Sequence, residues 1–176
     1  MAVRETLADA TGLYDACAEL LELARGRGLT LGTAESCTGG LVCGCLTAVP
    51  GSSDVVRGGV TSYAIDVKRA VLGVADEVFD DPALGAVSAE CAEQMARGAR
   101  LVLGCDVAVS VTGIAGPGGE EPGKPVGTVW FGLSSAAGTR SVLRTFAGDR
   151  ADVRLQAVAQ AVELLREGSV EVGSAG

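Results

Sequence analysis

The segment Asp106–Val111, DVAVSV, constrains the fold more than any other stretch of the chain. A strand that is nearly continuously apolar has both faces turned from water, and helices must cover both. The flanking sequence supplies such helices. Ser88 opens one, with Glu90 in its first turn and Cys91, Ala92, Met95, Ala99 and Val102 at helical spacing. Asp149–Arg166 reads as the last helix, with Asp149 at its N-cap, and the closing GSVEVGSAG as a frayed tail.

The earlier chain alternates in the same way. Leu7–Arg27 reads as a helix ended by Gly26 and Gly28, Leu29–Ala34 as a strand, and Gly39–Ala48 as a buried small-residue helix stopped by Pro50-Gly51. Val55–Ile65 contains a strand whose Gly58-Gly59 pair suggests a bulge, and Asp66–Leu72 is a short helix. Gly73–Val87 reads as a linker, Thr112–Gly127 as a glycine- and proline-rich loop, and Thr128–Leu133 with Ser141–Phe146 as a strand pair around Ala136-Ala137-Gly138. This alternation predicts a three-layer α/β/α sandwich with a mostly parallel central sheet and an antiparallel edge. No repeat divides the chain, so one domain is expected over residues 1–176, with an ordered core of about 7–167.

The 176 residues include no histidine. Ser-His-Asp and Cys-His catalysis, histidine bases and histidine metal ligands are therefore excluded together. The six cysteines form no CxxC pair, which predicts reduced structural thiols and no metal site. A net charge of -8 argues against a nucleic-acid surface. MAVRETLADA has no apolar signal core and no run reaches membrane-spanning length, so a cytoplasmic location is expected.

Four segments carry candidate chemistry. Ala34-Glu35-Ser36-Cys37-Thr38-Gly39-Gly40 lies where a strand passes into a helix. Ser36 there is either a nucleophile beside backbone N–H groups that favour an anion, or a helix cap. Tyr63 and Lys68, in SYAIDVK, are the groups available to deprotonate a serine when histidine is missing, or else an ordinary surface pair. Val111-Thr112-Gly113-Ile114-Ala115-Gly116-Pro117-Gly118-Gly119, continuing to Lys124-Pro125-Val126-Gly127-Thr128, is delivered by the buried strand and matches neither a P-loop nor a dinucleotide fingerprint; it is an anion- or ring-binding loop or a mobile surface loop. The fourth segment is Gly148-Asp149-Arg150, with Arg154 one turn on; Arg150 sits in the first turn of the last helix, where the dipole disfavours a cation, and it awaits an anion or is a solvated surface arginine.

AESCTGG, PGSS, GGVTSYAIDVK, GAVSAECAEQMARGA, VTGIAGPGG, KPVGTVWFGL and FAGDRADVR, in this order, resemble the CinA C-terminal domain family. Stand-alone members of that family are nicotinamide-nucleotide amidases. The resemblance runs from about Leu7 to Leu165. It implies hydrolysis of the carboxamide of nicotinamide mononucleotide to nicotinic acid mononucleotide and ammonia, without metal or organic cofactor. It implies Ser36 as nucleophile, assisted by Tyr63 and Lys68. Thr38, Gly39, Gly40, Thr112, Gly113, Gly116 and Arg150 are the residues expected to bind substrate. A homodimer is implied as well. Many members carry Ser and Asn where this chain has Ala64 and Ile65, which leaves a non-catalytic nucleotide-binding module as the alternative.

Overall fold

The computed structural model describes residues 12–173. Five strands form one sheet in the order β2-β1-β3-β4-β5. They are β1 Leu31–Glu35, β2 Val56–Thr61, β3 Val107–Gly113, β4 Thr128–Ser135 and β5 Gly138–Thr145. β1 pairs in parallel with β2 and β3, and β4 pairs antiparallel with β3 and β5. Only β4 therefore opposes the common strand direction, and the sheet is mixed and mostly parallel, as expected.

The helices are α1 Tyr14–Gly26, α2 Leu41–Thr47, α3 Ile65–Leu72, α4 Asp76–Asp80, α5 Ala89–Leu103 and α6 Arg150–Gly173. On one face of the sheet α1, α2 and α6 pack a large core that includes Leu20, Leu46, Val158 and Leu165 with Val107, Val109, Val111 and Phe131. On the other, α5 and the end of α3 pack a smaller one around Ala34, Leu72, Met95 and Ala108. Every β3 residue from Val107 to Thr112 is buried. Alternate valines enter the large core while Ala108 enters the small one. Ser110 is accommodated because its hydroxyl donates to Ala92 O (2.5 Å) and accepts from Gly132 N–H (3.0 Å). Among the described residues no helix is long and apolar enough to cross a membrane.

Beyond shifts of one or two residues, such as β3 running on to Gly113 where the loop was expected from Thr112, the element boundaries differ from expectation in four places. Gly12 and Leu13 are not helical, so α1 starts at Tyr14; residues 7–11 lie outside the described residues. The expected linker Gly73–Val87 contains α4, whose Val78 is buried in the small core. The β4–β5 strands run closer to their turn than predicted, to Ser135 and from Gly138. The tail is not frayed over 168–173, and residues 174–176 lie outside the described residues: α6 continues to Gly173, Ser169 is buried, and its hydroxyl donates to Leu165 O at 2.8 Å. The bulge is present. Leu31 pairs with Val56 and Gly32 with Gly58, so Arg57 is the extra residue.

Candidate active site

Because β1, β2 and β3 are parallel, their carboxyl ends meet at one edge of the sheet. β1 lies between the other two: the crossover from β1 to β2 runs through α2 on one face, and that from β2 to β3 runs through α5 on the other; such a switch point opens a crevice. Three of the four candidate segments arrive there. β1 delivers Ser36, β2 delivers Ser62 and Tyr63, and β3 delivers the glycine loop.

Lys68, on α3, is 1% exposed. Its Nζ lies 2.9 Å from Ser36 Oγ, 2.6 Å from the Ser62 carbonyl oxygen and 3.4 Å from that of Tyr63. No ion pair with Lys68 occurs among the described residues. Burial pushes its amine down from its ordinary value, against a smaller upward pull from Cys91 and Cys37. Nζ donates to all three oxygens; on losing a proton it keeps two hydrogens for the carbonyls and has a lone pair for the serine hydroxyl. Cys37 does not compete with its neighbour. Burial, the larger cause, pushes its thiol up to about 11, keeping it protonated near neutrality.

The start of α2 differs from the open anion site expected there. Its N-cap is Gly40, in the left-handed region, and neither Ser36 nor Thr38 caps it. The buried carboxylate of Glu35 instead accepts from Gly40, Val42 and Cys43 N–H at 3.0, 3.0 and 2.9 Å. A negative charge already occupies this helix end, so a phosphate has no place on it. On the other side of the turn, Arg154 donates to the Cys37 and Thr38 carbonyls at 3.1 and 3.0 Å.

Tyr63 is 62% exposed and does not bond Ser36. Its hydroxyl accepts from Arg150 (3.1 Å), whose other terminal nitrogen donates to Gly116 O at 2.9 Å. Arg150 thus joins the end of β2, the glycine loop and the start of α6. Beside this junction lies an open hollow of about 430 Å³ lined by Pro117, Asp149, Arg150, Ala151 and Arg154. Asp149 is engaged in capping α6, accepting from Ala151 and Asp152 N–H. A larger hollow, about 580 Å³, is lined by Lys124, Pro125 and Val126 of the third segment but by neither Ser36, Tyr63, Lys68 nor Arg150.

The remaining residues fall into two groups. Thr38 and Gly39 flank Arg154, and the buried Thr38 hydroxyl has no partner among the described residues. Thr112 and Gly113 stay within β3: Thr112 donates to Ala86 O at 2.6 Å, and Gly113 pairs with Val129. Sequence reasoning missed Glu35 and the full part played by Arg154. A carboxylate ending a buried strand was the available signal for Glu35, since such a charge needs partners.

Fold and site together define a class: an α/β domain with a half-buried serine bonded to a buried lysine, free of histidine, at the carboxyl end of a central strand. The chain belongs to the CinA C-terminal domain family, whose model matches residues 14–168. A CinA-like protein of Geobacter metallireducens is 48% identical over 144 residues, 82% of this chain and 34% of that protein. One of Mycolicibacterium gilvum is 51% identical over 141 residues, covering 79% and 33%. The chain thus spans about a third of the length of the curated relatives it matches. Among solved structures, the competence damage-inducible protein A of Klebsiella pneumoniae superposes with a TM-score of 0.83 at 37% identity, covering 88% of this chain and 94% of that one. A competence/damage inducible protein of Agrobacterium tumefaciens gives 0.82 at 41% identity, covering 86% and 92%.

Proposed function

We propose that this chain hydrolyses the carboxamide of nicotinamide mononucleotide, giving nicotinic acid mononucleotide and ammonia, with Ser36 as nucleophile and Lys68 as its base. The observation that carries the reading is the 2.9 Å contact between Ser36 Oγ and the buried, unpaired Lys68 amine. Neutral Lys68 takes the hydroxyl proton as Ser36 Oγ attacks the carboxamide carbon. The resulting ammonium returns that proton to the departing amine, releasing ammonia and leaving an acyl-serine. Water then attacks the ester carbon as Lys68 accepts its proton; the C–Oγ bond breaks, Lys68 returns that proton to Ser36 Oγ, and the acid product leaves with serine and amine restored. Each step uses groups of the chain alone, so no cofactor enters. Arg150 and Arg154 offer positive charge at the hollow beside the turn, where we place the substrate phosphate.

An ammonia-release assay on nicotinamide mononucleotide, with Ser36→Ala as control, tests this directly. Turnover by the wild type and none by the variant is expected. Binding of the nucleotide without ammonia release would instead favour the non-catalytic module.

A further inference from the structure

The Glu35 carboxylate lies beside this chemistry without entering the proton path. It is 1% exposed, and four donors converge on it. Oε2 accepts from Gly40 and Val42 N–H, and Oε1 from Cys43 N–H (2.9 Å) and the Thr33 hydroxyl (3.2 Å). The three backbone donors lie five, seven and eight residues ahead of it. The carboxylate therefore ties the end of β1 to the start of α2, and the loop it closes contains Ser36. Other bonds fix the remaining sides of the loop. Ser36 N–H donates to Val111 O at 2.9 Å, and Arg154 holds the next two carbonyls.

Surroundings made only of donors require a side chain that only accepts, and an ionised carboxylate is the one that does so at four points. Glutamine has nearly the same shape but would turn N–H groups against backbone N–H groups. We propose that Glu35 is a positioning residue for the nucleophile, holding the turn so that Ser36 Oγ stays within reach of Lys68 Nζ. This inference rests on the serine–lysine reading above. If Glu35 only capped α2, its loss would lower stability and leave the reactivity of Ser36 in the folded protein unchanged.

The experiment measures how fast a fluorophosphonate ester labels Ser36, followed by intact mass. Wild type, Ser36→Ala, Glu35→Gln and Thr33→Val are compared well below their melting temperatures. kcat, KM and the pH profile for nicotinamide mononucleotide are recorded in parallel. Displacements near 1 Å cost on the order of 10²-fold in rate, so Glu35→Gln should be labelled at least about 10-fold more slowly. Its kcat should fall in step, with KM within about twofold and the pH midpoint unmoved, because the turn shifts while the base is untouched. Should Glu35→Gln fail to fold, Thr33→Val decides the matter: it removes one of the four bonds and should slow labelling by a smaller factor. A labelled wild type with undiminished labelling of the deciding variant overturns the role of Glu35 alone. A moved pH midpoint with an unchanged plateau does the same, since Glu35 would then act on the charge of Lys68. An unlabelled wild type overturns the serine mechanism itself.

Discussion

Lys68 occupies surroundings that penalise its charged form and offer no carboxylate in exchange. Two outcomes follow for activity. Lys68→Arg should lose nearly as much kcat as Lys68→Ala, on the order of 10²–10⁴-fold, because arginine keeps the charge but cannot give up a proton. Near-normal kcat in Lys68→Arg would make the lysine an electrostatic prop and move the base elsewhere. The rate of the wild type should rise with pH through the lowered ionisation of this amine. The same shift fixes the sign of a stability effect. Between the lowered pKa and the ordinary value of ~10.4 the unfolded chain binds more protons at this position, so stability rises with pH. Below that window the penalty is at full size, and above it the penalty vanishes. Lys68→Met should therefore melt higher than wild type at neutral pH while releasing no ammonia; a lower melting temperature would contradict this. Ser36 and Lys68 were readable as a motif, but their contact was not, since five residues separate Tyr63 from Lys68 across a strand-to-helix junction. Glu35 escaped notice because a carboxylate among apolar strand residues produces no period, and its meaning lies in donors that only folding assembles.

At the scale of elements, α5 sets the position of the lysine. A Cβ at Gly98 would stand 2.0 Å from the Leu72 carbonyl oxygen, at the end of the helix that carries Lys68. A Cβ at Gly132 of β4 would stand 2.1 Å from the Ala92 carbonyl oxygen of α5. These two glycines let a strand, a helix and a second helix approach backbone to backbone. Gly98→Ala should cost about 1–3 kcal/mol, as overpacking does, visible as a lower denaturant midpoint. It should also reduce kcat, because α3 must move to make room. A stable variant of full activity would show that α3 is positioned by other contacts. The long elements were legible: β3 by its unbroken burial and α5 by its capping serine, which accepts from Cys91 N–H at 3.2 Å. α4 was not. Its five residues, DEVFD, carry three acids and too few turns for any period to emerge, so only the burial of Val78 reveals it.

The molecule as a whole carries a charge of -8, yet its proposed substrate is an anion. Positive charge must therefore be local, and the hollow framed by Arg150 and Arg154 supplies it. Nicotinamide riboside, which lacks the phosphate, should show a much lower kcat/KM than the mononucleotide. Arg150→Ala should narrow the difference. Equal use of both compounds by the wild type would remove the phosphate from the account. Among the described residues no cluster of three acidic or thiol ligands could gather a metal ion. Prolonged treatment with EDTA should accordingly leave ammonia release unchanged, and a loss restored by one added metal would show otherwise.

Both arginines ride on the first turns of α6, a continuous rod of 24 residues, about 36 Å long at ~1.5 Å per residue. Its far end is gripped as firmly as its near end. Arg140 pairs with Glu167 and Glu171, and Arg27 donates to the Ser169 and Val170 carbonyls. Between those ends Val153, Ala157, Val158, Ala161 and Leu165 are buried in the large core, so the two arginines are set by a helix anchored along its whole length, and the positive charge of the hollow keeps a fixed register with the sheet.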